Sequence, residues 1–252
     1  MLPGLAGIAM LAASSQALFA QTDHFKCYQT QELFVEQARD AELTDAFGGD
    51  PEVRIHNAAW FCNPVSKAVG EEAPTPITEP ANHLTLYPLS NTNPSPLHRV
   101  TIDNQFGTRE LVITSPRLVA VPTRKDDEPD PQGISHFKCH QASGRPVHVR
   151  ATLADQFQTE SARILQPRYL CNPATKTLEG VTTAPEPGEA SLTCYTIAPG
   201  GPPPVDFIDF DNQIGAPDTM RLGPSNFLCV PTTVASGEEA ATDRRYLRDQ
   251  RK

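Results

Sequence analysis

The sequence predicts an all-β protein made of two tandem antiparallel β-sandwich or barrel-like domains, each stapled by disulfides. The first observation is proline, at 25 of 252 residues, roughly twice its usual share, and proline interrupts helices and central strands. The second is alternation of apolar and polar side chains, as in VHVRAT at 147–152, which indicates a half-buried strand. The third is an internal repeat, and it organises the whole chain.

Four copies of one unit of about 40 residues are found when the chain is compared with itself. Each unit opens with a strand-like segment, continues into a middle strand that leads to an acidic or amide turn, and closes on a third strand. The opening segments read HFKCY, HLTLY, HFKCH and SLTCY. The units, numbered one to four, span 24–67, 83–125, 136–176 and 191–233.

The four units come in two types. Units one and three share His-Phe-Lys-Cys and Cys-Asn-Pro-x-x-Lys, whereas units two and four share Leu-Thr-x-Tyr and Val-Pro-Thr. A unit that doubled and diverged, followed by doubling of the pair, explains this pattern. Because a pair of about 100 residues is a comfortable domain size and a single unit is too small, we expect domains at 21–125 and 135–234. One fused body of four units is the alternative.

The segments outside the units carry their own signals. Residues 1–20 are apolar and small and precede a polar stretch, which predicts a secretory signal peptide, with a membrane anchor as the weaker alternative. Residues 126–134 form an acidic, proline-rich linker, and residues 235–252 form a polar tail that we expect to be disordered or helical. Within the units, only 32–43 is a helical candidate.

The repeat alignment also predicts how the six cysteines pair. Units one, three and four each carry two cysteines in equivalent positions, whereas unit two has Leu86 and Ala120 there. Pairing within units treats every unit alike and leaves no cysteine over when unit two lacks both. Close Cys-x-x-Cys pairs, typical of metal sites, do not occur in the sequence. The expected bridges are Cys27–Cys62, Cys139–Cys171 and Cys194–Cys229.

The segments HFKCY, DNQFG, LCNPxxK and LCVP, at these spacings, resemble a family of exported bacterial proteins with repeated domains of unknown function. The resemblance covers nearly all of 23–234 and implies secretion and a β-rich repeat. It brings no established activity, so it assigns no catalytic residue. This sequence departs from the pattern at Leu86, Ala120, Ser191, Ile214 and Ala46.

Side chains that could bind a ligand recur at the turn of each unit. Asp103, Asn104, Asp211 and Asn212 carry oxygens that suit calcium or a sugar, although Asp and Asn also build turns through their own side chains. His140 stands where the three sister units have tyrosine. We regard these five residues as weak ligand-binding candidates and the structural turn as the stronger interpretation.

Composition and sequence motifs argue against several classes of function. The net charge is −9, with 5 basic and 2 acidic residues gathered at 243–252, and an acidic body lacks the basic stripe that nucleic acids require. No hydrolase elbow, zinc-protease motif, phosphate loop or dinucleotide fingerprint occurs in the sequence. The sequence does not decide whether the protein is an enzyme, but it favours a non-enzyme, and we expect no cofactor, no catalytic or metal-ligating residue and no transmembrane segment in the mature chain.

The function that the sequence favours is therefore a non-catalytic, extracytoplasmic binding or structural module, secreted or held in a bacterial envelope. A glycan or cell-surface polymer is the partner that we consider. Two alternatives stay open: a secreted hydrolase with its site in non-repeated loops, and a protein that binds calcium or zinc.

Overall fold

The computed structural model describes residues 22–33, 38–93, 97–198, 205, 207–215 and 218–235. The described chain forms 15 β-strands, paired antiparallel. They are β1 (Phe25–Glu32), β2 (Arg39–Asp45), β3 (Gly48–Ile55), β4 (Trp60–Pro64), β5 (Ser66–Val69), β6 (His83–Ser90), β7 (His98–Asp103), β8 (Arg109–Lys125), β9 (His136–Gly144), β10 (Val149–Ala154), β11 (Thr159–Leu178), β12 (Val181–Thr183), β13 (Ser191–Ile197), β14 (Phe207–Asp211) and β15 (Asp218–Ala235).

Eight of these strands close into a ring. In every unit the opening strand pairs with the strand that carries the second cysteine position, as β1–β4, β6–β8, β9–β11 and β13–β15. Neighbouring units then pair as β4–β6, β8–β9 and β11–β13, and β15 returns to β1. Closure gives every ring strand a partner on both sides, so the ring has no open edge.

A second layer lies outside the ring. In each unit the middle strand and the strand after it form an outer hairpin, as in β2–β3 and β10–β11. The second strand of each hairpin pairs with the first strand of the next unit. The first strand of the hairpin pairs with the C-terminal end of the unit two places on. Thus β3 pairs with β6 and β2 pairs with the end of β11, while β11 pairs with β13 and β10 pairs with β5.

Proline marks the point where three long strands pass from the outer layer into the ring. The register of β8 against β9 shifts on both sides of Pro116, and that of β11 against β13 shifts around Pro167. The shifts between β15 and β1 fall around Pro224. Because proline cannot donate to a ladder, a strand carrying it inside a sheet tends to bulge there. The high proline content therefore fits bent strands as well as loops.

The interior of the ring is filled by side chains from all eight strands, and its central layer consists of the disulfides. Cys27–Cys62, Cys139–Cys171 and Cys194–Cys229 are bonded, each across a directly paired position. Adjacent bridges touch, with Cys27 Sγ 3.8 Å from Cys229 Sγ and Cys171 Sγ 4.0 Å from Cys194 Sγ. In unit two the buried pair Leu86 and Ala120 takes the same place.

The prediction of an all-β antiparallel protein with disulfides is confirmed. The helical interpretation of 32–43 is wrong for its second half, because 39–45 is strand β2 and its buried Ala41 and Leu43 follow a two-residue period. The signal peptide expected at 1–20 lies outside the described residues, as does the expected tail 235–252 except for Ala235, which belongs to β15. Among the residues that are described, none forms a helix with the length and apolarity needed to cross a bilayer.

Strand pairs join the two expected domains at both junctions, through β8–β9 and β15–β1. The ring therefore draws four strands from 21–125 and four from 135–234. Separate folding of either part stays a prediction.

Candidate functional site

The tip of every outer hairpin is a turn closed by its own side chain. Asp45, Asn104, Asp155 and Asn212 each accept a hydrogen bond from the backbone N–H two residues on, at 3.1, 2.9, 3.0 and 2.9 Å. This is the turn geometry that Asp and Asn favour. The Asp or Asn at each of the four tips therefore builds a turn, as the structural interpretation of these residues predicts.

Each tip also contacts the unit two places along the ring. The Tyr28 hydroxyl of unit one donates to Asp155 of unit three at 2.7 Å, and Asn104 of unit two donates to the Tyr195 hydroxyl of unit four at 3.0 Å. Asn212 of unit four donates to the Tyr87 hydroxyl of unit two at 2.8 Å. We call each such contact between a tip and the unit two places on an interlock.

His140 forms the fourth interlock. Its Nε2 lies 2.8 Å from Asp45 Oδ2, so this histidine of unit three meets the tip of unit one where the sister units use tyrosine. Burial alone would raise the pKa of Asp45, but the hydrogen bonds and charges of its neighbours outweigh burial and lower it. The side chain of His140 is 1% exposed, and its contact with Asp45 explains why a polar side chain is needed there.

Two of the four interlocks are charged. Lys26 Nζ lies 2.8 Å from Glu160 and 3.6 Å from Asp155, with its side chain fully buried. The equivalent Lys138 Nζ lies 2.5 Å from Asp50 and 3.5 Å from Asp45. A buried lysine of this kind requires paired carboxylates, which explains why His-Phe-Lys-Cys occurs in the units that receive an aspartate tip.

The other two interlocks are neutral. Asn212 donates to Thr123 at 3.0 Å, and Thr123 donates to Thr85, which stands in the lysine position, at 2.8 Å. Unit four repeats this chain, with Thr232 donating to Thr193 at 2.9 Å. The two types of unit in the sequence therefore correspond to two types of interlock.

In units one, two and three an aromatic residue after the turn packs on the Tyr or His that the tip meets, whereas unit four has Ile214 there. Phe157 meets Tyr28 edge-on with ring centroids 5.4 Å apart, and Phe106 meets Tyr195 at 5.2 Å. Lys67 Nζ lies 5.3 Å from the centroid of Phe106, within the range of a cation–π contact. These contacts extend three of the four interlocks beyond their hydrogen bonds.

The five weak candidates are not brought together. Asn104, Asn212 and His140 belong to different interlocks. Asp103 accepts from the Thr108 hydroxyl at 2.8 Å, and Asp211 pairs with Arg124 at 2.7 Å. Ligand binding by any of them stays a prediction. The sequence reasoning missed Lys26 and Lys138, although their association with aspartate tips was a usable signal.

The three histidines in the repeated position at the start of the ring strands are buried. Burial, with the charge of Lys67, lowers the pKa of His24 to about 4, and burial with the charge of Lys176 lowers that of His136 to about 3. Burial also lowers the pKa of His83, although Glu128 opposes it at 2.7 Å. All three are neutral at pH 7, which suits framework positions.

A cavity of about 220 Å³ lies beside the start of β1 and is bordered by the loops that precede the ring strands. Asp23 accepts hydrogen bonds from the backbone N–H groups of Thr78 and Glu79, and Glu189 accepts one from Ser135. Burial, reinforced by a neighbouring acid, raises the pKa of Glu189 to about 6. Several polar groups of this cavity are thus engaged in holding one loop to another.

A second cavity, of about 290 Å³, lies where β8 meets the outer hairpin of unit four. Its acids already have partners: Asp126 accepts from the backbone N–H of Asp209 at 2.9 Å, and Asp209 accepts from Thr219 at 2.6 Å. In the part of the chain that the structure describes, no group of three or more His, Cys, Asp or Glu could hold a metal ion.

Residues 9–122 match a repeat of unknown function (DUF7450). The match ends within unit two, so it covers the first pair of units and less than half of the chain. Comparison with curated proteins and with solved structures gives no match.

Proposed function

We propose that this protein is a non-catalytic, extracytoplasmic module that binds a glycan or surface polymer on a rigid, interlocked scaffold. Three disulfides indicate an oxidising compartment. Together with the apolar residues 1–20, they support export and a location that is secreted, periplasmic or at the cell surface of a bacterium.

The main support for the proposal is that the repeated polar residues form contacts between units of the scaffold. The turn Asp and Asn, the Tyr or His that they meet, and the buried Lys or Thr beside them are engaged between units. A catalytic site would need such groups facing a substrate. The exposed faces of the outer hairpins, in contrast, differ between units, so they are where a single scaffold could acquire a specific partner.

The experiment is a binding screen with the mature chain from residue 21. Immobilised neutral and acidic polysaccharides are tested, with thermal shifts against calcium and zinc run in parallel. We expect saturable binding to at least one polymer and no shift with either metal. A metal-dependent shift would instead favour a protein that binds calcium or zinc. Failure to bind any polymer would overturn the proposal.

A secreted hydrolase is the second candidate, and the acidic cavity beside Arg124 is the observation that favours it. Asp209 and Asp211 lie on one strand there, and Asp218 lies on the next. Paired carboxylates are the tools of glycoside hydrolysis. Release of reducing sugars from the polymers that bind, abolished in Asp209→Asn, would replace the binding proposal by this one.

A further inference from the structure

Two arginines face each other across the outer hairpin of unit three. Arg150 on β10 is directly paired with Arg163 on β11, and both side chains are exposed. Neither arginine side chain has a hydrogen bond, ion pair or ring contact with any described residue. Like charges directly opposite each other on a sheet destabilise it, so this pair needs a reason other than folding.

The same position in the other units supplies an internal comparison. Counting back from the turn residue, unit one has Asp40 opposite Arg54, and these form an ion pair at 3.2 Å. Unit two has Arg99 opposite Val112, and unit four has Phe207 opposite Arg221. Opposed cations occur in unit three alone. An anion from outside the chain would take the place that Asp40 fills in unit one.

Two hydroxyl side chains lie beside the arginine pair. Thr152 and Ser161 are exposed and paired with each other two residues along the same face. Glu160 points away, because its side chain is buried against Lys26. On the far side of β10, strand β5 ends at Val69 and is followed by the exposed Glu71 and Glu72, of which Glu72 acts on Lys67 through its charge. The face thus offers two guanidinium groups beside two hydroxyls.

We propose that this face, formed by Arg150, Thr152, Ser161 and Arg163, binds an acidic polysaccharide through its carboxylate or sulfate groups. This rests on the proposed function and names the partner class and the site. A guanidinium group holds either anion by two parallel hydrogen bonds. Opposed residues on a sheet have Cβ atoms about 5 Å apart, so both arginines can reach one anionic group or two successive ones, while the hydroxyls bond to the sugar.

A polysaccharide fits this face better than a lipid bilayer does. Surfaces that bind bilayers usually add apolar anchors to basic residues, and the large exposed hydrophobic residues, Leu33, Val181, Val205 and Phe207, lie on other elements.

The experiment compares polymers on the mature chain by surface plasmon resonance. The probes are polygalacturonate, dextran sulfate, neutral dextran and vesicles containing phosphatidylglycerol. The variants are Arg150→Ala with Arg163→Ala, Arg150→Asp, which copies unit one, and Arg99→Ala, which removes an exposed arginine from the same position in unit two. All three residues changed are at the surface, and the melting temperature of each variant checks its folding.

We expect binding to polygalacturonate or dextran sulfate that weakens with added salt. The double variant and Arg150→Asp should bind at least about tenfold more weakly, the loss expected for a charge-assisted hydrogen bond, while Arg99→Ala binds as the wild type. Acidic-polymer binding unchanged in the double variant, or binding to vesicles alone, would overturn the inference. Binding to neutral dextran alone would overturn it and leave the proposed function standing, whereas no polymer binding would overturn both.

Discussion

The imidazole of His140 meets the carboxylate of Asp45 across 95 residues of sequence, with Nε2 and Oδ2 2.8 Å apart. Tyr28 meets Asp155 in the same way, at 2.7 Å. The two contacts are reciprocal, because unit one receives the tip of unit three and unit three receives the tip of unit one. The fold is thus held by pairs of units two places apart as well as by neighbouring strands.

Replacing His140 tests whether its role is structural. His140→Tyr restores the residue found in the sister units and should keep the free energy of unfolding within about 1 kcal/mol of wild type. His140→Phe leaves buried Asp45 short of a hydrogen-bond donor and should lower it by about 1–3 kcal/mol. Guanidinium unfolding measures both, with exposed His56→Phe as the control. A His140→Phe protein as stable as wild type would contradict the interlock.

The charged interlocks should be far more sensitive than surface ion pairs. Lys138→Met removes the partner of Asp50 and Asp45, whose side chains are 4% and 0% exposed, and should cost about 3–5 kcal/mol. Arg54→Met breaks the exposed pair with Asp40 and should cost less than about 1 kcal/mol. Equal effects in denaturant unfolding would show that the buried lysine is not held by its carboxylates.

Unit two offers a position for a fourth disulfide. Leu86 and Ala120 are directly paired at the ladder position where the other units are bridged. The double variant Leu86→Cys with Ala120→Cys should therefore close a bridge, seen as the loss of two further hydrogens by intact mass. The chain-entropy model gives a gain of about 3.5–4 kcal/mol for a loop of this length. Two free thiols in the oxidised, folded protein would refute the equivalence of the four positions.

The buried histidines should make the protein acid-sensitive. The folded-state pKa values of His24 and His136, about 4 and about 3, lie below the unfolded value of about 6.5. The unfolded chain therefore binds more protons as the pH falls from about 6.5 towards these values, so the stability is full above that range and is lost on acidification.

Melting temperatures between pH 7 and pH 4 measure this dependence. His136→Asn, which cannot titrate, should show a smaller fall than wild type across the range, whereas exposed His56→Asn should not. If the two variants show the same pH dependence, the burial of His136 is not its source.

Much of the framework could be predicted from the sequence because it is repeated. Two-residue alternation predicted strands, and the missing cysteine pair in unit two predicted the bridges. The helical interpretation failed for 39–43 because glutamate, glutamine and alanine favour helices locally, while pairing of β2 with β3 and β11 decides the outcome.

The interlocks could not be predicted in the same way. They join residues far apart in the chain, such as Asn104 and Tyr195, 91 positions apart. No local sequence pattern indicates which unit a given tip will contact. The candidates Asp103 and Asp211 looked equivalent to their neighbours, yet each lies one residue before the side chain that enters an interlock. Only the arrangement of four units around one ring separates the two positions.

The strand pairs at both junctions should hold the two halves of the chain together as one body, and cleavage of the linker tests this most directly. A protease site is inserted between Pro129 and Asp130, which are exposed, and no disulfide joins the two sides. After cleavage, the two fragments should elute together on size exclusion at the volume of the intact protein and separate only in denaturant. Two folded fragments that elute apart without denaturant would contradict the account.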